Sequence, residues 1–345
     1  MKLKEAKQIL KKRNVDAIIL FSKTPNFQYF VPGGLEHCVL IIARNETVLL
    51  TSPLSAPKIK GIRTVTYSGF HEEFAAVLKK NKVKRAGVDE FSLYLRQKKL
   101  LSGKVSMKDV GEDLSSLRVT KTPEEISRIR KACRITDDVF SLLLKEFWRF
   151  KTEQDVYNFI RIEFIKRDAD IAYEPIVASG WNATVPHHEP TSKLKKGFLV
   201  LDIGAKYKGY CSDMTRTIYL GTPNMGEIAI YEKILEVQEE CIRLSKVGAS
   251  AADIHNHAVK MLGKDAQYFN HALGHGFGVE IHEAPTLAPR SKQKIQDKTI
   301  ITIEPGYYNQ KTGVGIRIED DLYVTKGRTE FLNKSTKDLI CIKKW

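Results

Sequence analysis

The chain has 345 residues, 42% of them hydrophobic and 28% charged, with 56 Lys and Arg against 41 Asp and Glu for a net charge of +15. That length is comfortable for two domains and long for one. The positive charge lies in short dispersed pairs (Lys11-Lys12, Lys79-Lys80, Lys98-Lys99, Lys195-Lys196) with no zinc-finger or RNP signature, so it speaks for solubility and not for a dedicated nucleic-acid partner.

The N-terminal stretch is a charged amphipathic helix (Leu3, Ala6, Ile9, Leu10) without the apolar core of a secretory signal. Short strands follow at 16–21, 37–43, 47–51, 63–67, 85–89 and 104–110, with helices near 71–80 and 92–101. The longest apolar runs, such as CVLIIA at 38–43, are far below the roughly 18 residues a membrane span needs. This first block reads as an α/β domain without a cluster of acids and histidines. A polar stretch at 111–121 separates it from the rest, and the domain boundary is placed near 118, giving domains 1–118 and 119–345. Thr122, Pro123 and Glu125 then form a strong helix start. Ile126, Ile129, Ile135, Val139, Leu142 and Leu143 supply the apolar stripe of the helix that follows. A second helix is expected from Thr152, and further helices near 225–245 and 251–262. The five cysteines are odd in number and lack a CxxC, so they read as free thiols in a reducing, cytoplasmic setting.

The chemistry lies in the second block, whose two αβ halves each deliver an acidic pair. The first pair is Asp202 and Asp213; a turn centred between Tyr207 and Lys208 would set them directly opposite. The second is Glu304 and Glu319, opposed if the turn centres between Lys311 and Thr312. Like charges facing each other across a ladder repel and call for cations. Strand alternation puts Arg317 beside Glu319 and turns Asp320 away from it. Between the pairs, LGHGFGVEIHEAP offers His275 and His282, and the glycines argue against a helical HExxH site. Four carboxylates with imidazole point to a two-metal hydrolytic centre. The loop SGWNATVPHH displays His187 and His188 at the surface, at most one of them facing the centre. His37, His71, His255, His257 and His271 read as core or surface residues. No phosphate loop, GxSxG elbow or nucleophilic cysteine context occurs.

The ordered set of Asp202, Asp213 eleven residues later, His275 in HGxG, Glu304 in EPG and Glu319 in RIED resembles the pita-bread metallopeptidase family of Xaa-Pro dipeptidases (prolidases), aminopeptidase P, methionine aminopeptidase and creatinase. The resemblance covers residues 119–345 and extends to the first block, which looks like the N-terminal creatinase/prolidase domain. It implies a pita-bread catalytic domain holding two divalent ions, with Mn²⁺ or Co²⁺ ahead of Zn²⁺ or Fe²⁺. Asp202 would serve one ion, His275 the other, and Asp213 and Glu319 would bridge them. Glu304 would be both ligand and general base. The family's loop histidine falls on His187 and its second HGxG-linked histidine on His282; His187 and Arg317 would position the substrate, a peptide with proline second, and His282 with a metal would stabilise the developing oxyanion. A homodimer is expected. One departure stands out. Where many prolidases carry an arginine in HExPR, this chain has Thr286, with Arg290 four residues on. The rival readings are a creatinase-like C–N hydrolase and a basic non-catalytic binding module.

Overall fold

A computed structural model describes residues 2–55, 57–191 and 193–343. The chain divides into two compact units, Met1–Arg118 and Val119–Trp345.

The first unit runs α1 Leu3–Arg13, β1 Ala17–Phe21, α2 Pro25–Phe30, β2 Val39–Ala43, β3 Thr47–Thr51, β4 Arg63–Thr66, α3 Phe70–Lys80, β5 Arg85–Val88, α4 Leu95–Leu101, β6 Ser106–Asp109 and α5 Gly111–Val119. Its strands form one mixed sheet in the order β4-β3-β2-β1-β5-β6. β1, β2 and β3 are buried along their whole length, which is why they read as unbroken apolar runs and not as alternating ones. Two elements differ from expectation. Residues 25–30 form α2, started by Thr24 and Pro25 with the same N-cap chemistry that marks Thr122. Residues 111–119 are a helix and not a polar linker. Leu114 is buried, and Asp113 in the first turn receives Lys12 Nζ at 2.7 Å and the Arg13 guanidinium.

The second unit begins with α6 Pro123–Lys145 and α7 Glu153–Ile165. Then come β7 Asp170–Ile171, β8 Ile176–Ser179, β9 Gly197–Ile203, β10 Ala205–Tyr207, β11 Tyr210–Cys211 and β12 Met214–Leu220. The second half repeats the theme: α8 Met225–Leu244, α9 Ala251–Leu262, β13 Gly274–Gly276, β14 Glu283–Leu287, β15 Thr299–Ile303, β16 Gly306–Asn309, β17 Val314–Arg317, β18 Asp320–Val324, β19 Thr329–Phe331 and β20 Cys341–Ile342. Each half packs a helix pair on a sheet. Ile135, Val139, Phe164 and Val156 of α6 and α7 cover Leu199, Leu201 and Ile218 of β9 and β12. Ile234, Val237, Ile254 and Ala258 of α8 and α9 cover Ile301, Ile303 and Leu322 of β15 and β18. This is the doubled αβ arrangement expected of a pita-bread domain, with the sheets' other faces free to carry a site. No helix among the described residues is long and apolar enough to cross a membrane.

α6 starts on a reciprocal cap: Glu125 N–H donates to Thr122 Oγ1 at 3.4 Å, and Thr122 N–H donates to Glu125 Oε2 at 2.9 Å. Thr122→Ala is expected to lower stability by about 1 kcal/mol, read from the urea midpoint at unchanged slope; no shift would remove the cap from the account of this helix.

Candidate metal centre

The first hairpin turns on Lys208-Gly209, both with positive φ (48° and 83°), one residue later than expected. Such a two-residue turn matches the twist of its strands and fixes the register. Thr215 therefore pairs with Asp202, and the expected direct opposition of Asp202 and Asp213 does not occur. Asp213 lies in the gap between β11 and β12, diagonal to Asp202, and its N–H donates to Asp321 Oδ2 at 2.9 Å. The second hairpin keeps the expected register. Gly306 pairs with Arg317 and Ile303 with Asp320, so Glu304 comes across from Glu319 by count. Both glutamates sit where the ladder breaks at Pro305. Their N–H groups go elsewhere, Glu304 to Leu273 O at 2.8 Å and Glu319 to Thr215 O at 3.1 Å, the latter tying the two halves together.

His275 occupies β13 between two glycines whose absent side chains are required. A Cβ on Gly274 would lie 2.1 Å from Thr302 O, and one on Gly276 would lie 2.3 Å from Ala284 O. The imidazole Nδ1 lies 3.1 Å from Gly276 O, so it carries the proton and Nε2 presents its lone pair. That lone pair faces Glu304 Oε1 at 3.3 Å and Asp213 Oδ2 at 3.6 Å. Three acceptors facing one another need a proton or a metal cation between them. Asp213, His275 and Glu319 each offer a ligand atom, and all three atoms lie within 4.8 Å of one another.

The electrostatics point the same way. Burial, and then the charges of Asp202, Asp321 and Glu304, hold the Asp213 carboxyl well above the usual range. Burial and the charges of Asp213, Glu304 and Asp202 do the same to Glu319. Burial lifts Glu304 to about 7, with Arg317 opposing and Asp202 adding to the rise. Burial pushes His275 down, so it stays neutral and able to donate a lone pair. Among the described residues no lysine or arginine forms an ion pair with Asp213, Glu304 or Glu319. A set of oxygen donors with one neutral imidazole, short of positive charge, fits divalent cations.

The surrounding residues fix these groups. Thr215 Oγ1 donates to Glu319 Oε2 at 2.7 Å, and Thr302 Oγ1 donates to Glu304 Oε1 at 3.2 Å. Both threonines follow from strand alternation, since each lies two residues from a site carboxylate on the same face. The Tyr173 hydroxyl lies against Asp202 Oδ1 and 2.5 Å from Asp213 Oδ1, and no sequence signal announces it. Arg317 was expected beside Glu319. Its Nη2 pairs instead with Asp202 Oδ2 at 2.6 Å, while Nε donates to Thr215 Oγ1 and Nη1 to the Tyr308 hydroxyl. Asp320 faces away, as alternation predicts, and pairs with Arg216 at 2.6 Å.

A cleft of about 1060 Å³ opens on the centre and contains all five ligand candidates together with His187, His282 and Arg317 among its lining residues. The His282 ring lies edge-on to that of His275, centroids 4.4 Å apart. His271, a core or surface histidine by sequence, also lines the cleft. Its Nε2 is 3.0 Å from the Tyr308 hydroxyl, and burial followed by the Arg317 charge lowers it to about 4. His188 is likewise no free surface residue, and both loop histidines reach the cleft. His188 Nε2 lies 2.9 Å from Oε2 of Glu153, which is fully buried at the start of α7. The same carboxylate accepts Ser179 N–H at 2.7 Å, Ser179 Oγ at 2.8 Å and Asn182 Nδ2 at 3.0 Å. Burial alone would raise Glu153, but these donors outweigh it and keep the group ionised. Glu153 thereby pins both ends of the loop that carries His187. Arg290 is not among the residues lining the cleft, whereas Thr286 is.

Residues 127–326 match the model of metallopeptidase family M24, and residues 2–120 match the creatinase/prolidase N-terminal domain. The chain is 31% identical to the Xaa-Pro dipeptidase of Pyrococcus horikoshii over 98% of both chains. Among solved structures it superposes on an Xaa-Pro dipeptidase from Bacillus anthracis with a TM-score of 0.93 at 29% identity, covering 99% of each chain. It also shares the fold of an X-Pro aminopeptidase from Thermotoga maritima, TM-score 0.88 at 24% identity over 95% of this chain and 98% of that one. The carboxylates and imidazole drawn together on this doubled αβ scaffold, and the relatives that match it from end to end, agree: the chain is a member of metallopeptidase family M24 with a creatinase/prolidase N-terminal domain.

Proposed function

We propose that this protein is a dinuclear-metal peptidase that hydrolyses the bond between an N-terminal residue and a following proline. The observation that carries this reading is the convergence of Asp202, Asp213, His275, Glu304 and Glu319 on one cleft, with the His275 lone pair aimed at carboxylate oxygens. The substrate class is supported by the full-length similarity to Xaa-Pro dipeptidases of Pyrococcus horikoshii and Bacillus anthracis. In this reading Asp202, Asp213, His275, Glu304 and Glu319 would together hold the two ions. Oxygen-rich ligation with one imidazole favours Mn²⁺ or Co²⁺ over Zn²⁺ or Fe²⁺. Such ions supply Lewis acidity and bring the pKa of water towards neutrality.

The protein's own groups do the rest. Glu304, facing the His275 ring and held by the Thr302 hydroxyl, would take a proton from the attacking water on its carboxylate and return it to the departing proline nitrogen. His282 and His187 offer ring N–H groups to the scissile carbonyl oxygen and the peptide backbone. Arg317 has its nitrogens committed to Thr215, Tyr308 and Asp202, so it acts by orienting Asp202. A creatinase-like or purely binding role fits less well, because every ligand position is filled. The free thiols support a cytoplasmic setting. A homodimer is the expected assembly, to be read by light scattering.

Glu304→Ala is expected to cut kcat on Xaa-Pro substrates by at least about 100-fold; a loss under tenfold would remove Glu304 as the base. Glu153→Ala should release the His187 loop. The expected signature is a raised KM and reduced thermal stability with metal content retained, measured by steady-state kinetics alongside elemental analysis; unchanged KM would detach the loop from substrate binding.

Metal and pH should be linked. Glu304 in the folded, metal-free protein is raised from 4.5 to about 7, so the stability that its protonated form contributes is fully present below 4.5 and is lost as pH rises through about 7. Asp213 and Glu319 shift in the same direction. Divalent ions compete with those protons. Adding Mn²⁺ to stripped protein should therefore raise Tm more at pH 8 than at pH 5 in differential scanning calorimetry, and equal increments would contradict the assignment of these carboxylates as ligands.

A further inference from the structure

One wall of the cleft is the helix α7, which contributes Gln154, Tyr157, Asn158 and Arg161. Their spacing of i, i+3, i+4, i+7 marks a single helical face. That face is polar throughout, while Val156, Ile160 and Phe164 are buried on the other side. Glu174 also lines the cleft, and it receives the Tyr157 hydroxyl proton. Arg161 Nη1 donates to the Tyr157 oxygen at 3.1 Å, and its guanidinium stands 3.9 Å from Glu174 with 46% of its side chain exposed. Arg161 is therefore held in place by one contact on the helix and one looser pair. A guanidinium has five N–H donors, so several remain for a ligand.

The rest of the cleft offers no comparable cation. Among the described residues, Arg161 and Arg317 are the only lysine or arginine side chains lining it. Arg317 is 3% exposed and fully engaged with site residues. Thr286 brings no charge, and Arg290 is absent from the lining. A dipeptide seated at the carboxylates would thus find no guanidinium beside its terminal carboxylate, and the α7 wall would be left unused. The cleft's 1060 Å³ stands at the top of the range for small-ligand pockets, about 300–1,000 Å³.

Resting on the Xaa-Pro reading, we infer that the preferred substrates are Xaa-Pro peptides longer than two residues. Their downstream segment runs along α7, where Arg161 takes a carbonyl or terminal carboxylate oxygen and the amides of Gln154 and Asn158 take further backbone groups. Arg161 is then the residue that sets substrate length.

The test uses the metal-loaded full-length protein and a matched series, Xaa-Pro, Xaa-Pro-Yaa and Xaa-Pro-Yaa-Zaa, with one Xaa throughout. The expected result is a rise in kcat/KM of at least about tenfold from dipeptide to tri- or tetrapeptide, the worth of one charge-assisted hydrogen bond. In Arg161→Glu the ratio of long-peptide to dipeptide kcat/KM should fall by a similar factor, carried mainly by KM. A wild-type preference for the dipeptide, or an unchanged ratio in Arg161→Glu, overturns the length assignment while leaving the peptidase intact. No cleavage of an Xaa-Pro bond at any length is a different result, and brings down the peptidase reading together with this one. The wild-type series stands on its own should the variant fold poorly.

Discussion

The second unit is organised around a repulsion. Carboxylates from both hairpins are buried within reach of one another and of a neutral imidazole, with Arg317 as the one close arginine or lysine partner among the described residues. Two unit charges 4.8 Å apart interact by roughly 3–4 kcal/mol at an effective dielectric of 20. The same magnitude turns attractive towards a divalent cation. The fold tolerates the cluster because each half has its own core. Ile135, Val139 and Phe164 belong to one, and Ile234, Val237 and Ile254 to the other, and their burial offsets the cost of crowding the acids. Hydroxyls of Thr215, Thr302 and Tyr173 then fix the orientation of the carboxylates, which is the supporting role that outer groups play around metal centres.

Local chemistry was the legible part of this chain. The capping box at Thr122, the buried strands of the first unit and the alternation that separates Glu319 from Asp320 all depend on neighbours a few residues away. The metal-ligand candidates were equally visible, because their types and spacing are written in two short segments. Where reading failed, the deciding partner was distant or the margin was one residue. Centring the turn on Lys208-Gly209 moved Asp202 opposite Thr215, although Gly209 itself was in plain view. His271 and His188 looked interchangeable with other histidines until Tyr308 and Glu153 came against them, 37 and 35 residues away in sequence. The helix at 111–119 reads as polar because the partners of Asp113, Lys12 and Arg13, lie about 100 residues upstream.

The glycines around His275 show the opposite limit, where sequence states a requirement and only coordinates reveal its reason. Gly274 and Gly276 are needed because neighbouring carbonyls of Thr302 and Ala284 crowd β13 on both sides. Crowding by backbone is stiffer than crowding by side chains. The imidazole is thus mounted on the least deformable part of the site, and its orientation is set before any ligand arrives.

α7 has two duties on one rigid body. Its first residue, Glu153, moors the loop that carries His187, and its outward stripe from Gln154 to Arg161 forms a wall of the cleft. The helix behaves as a measuring rod with its zero fixed at the reacting bond. Changes along the stripe can retune which ligands fit without touching the ions or the cores, so designed inhibitors that discriminate between proteins of this fold have their best purchase there.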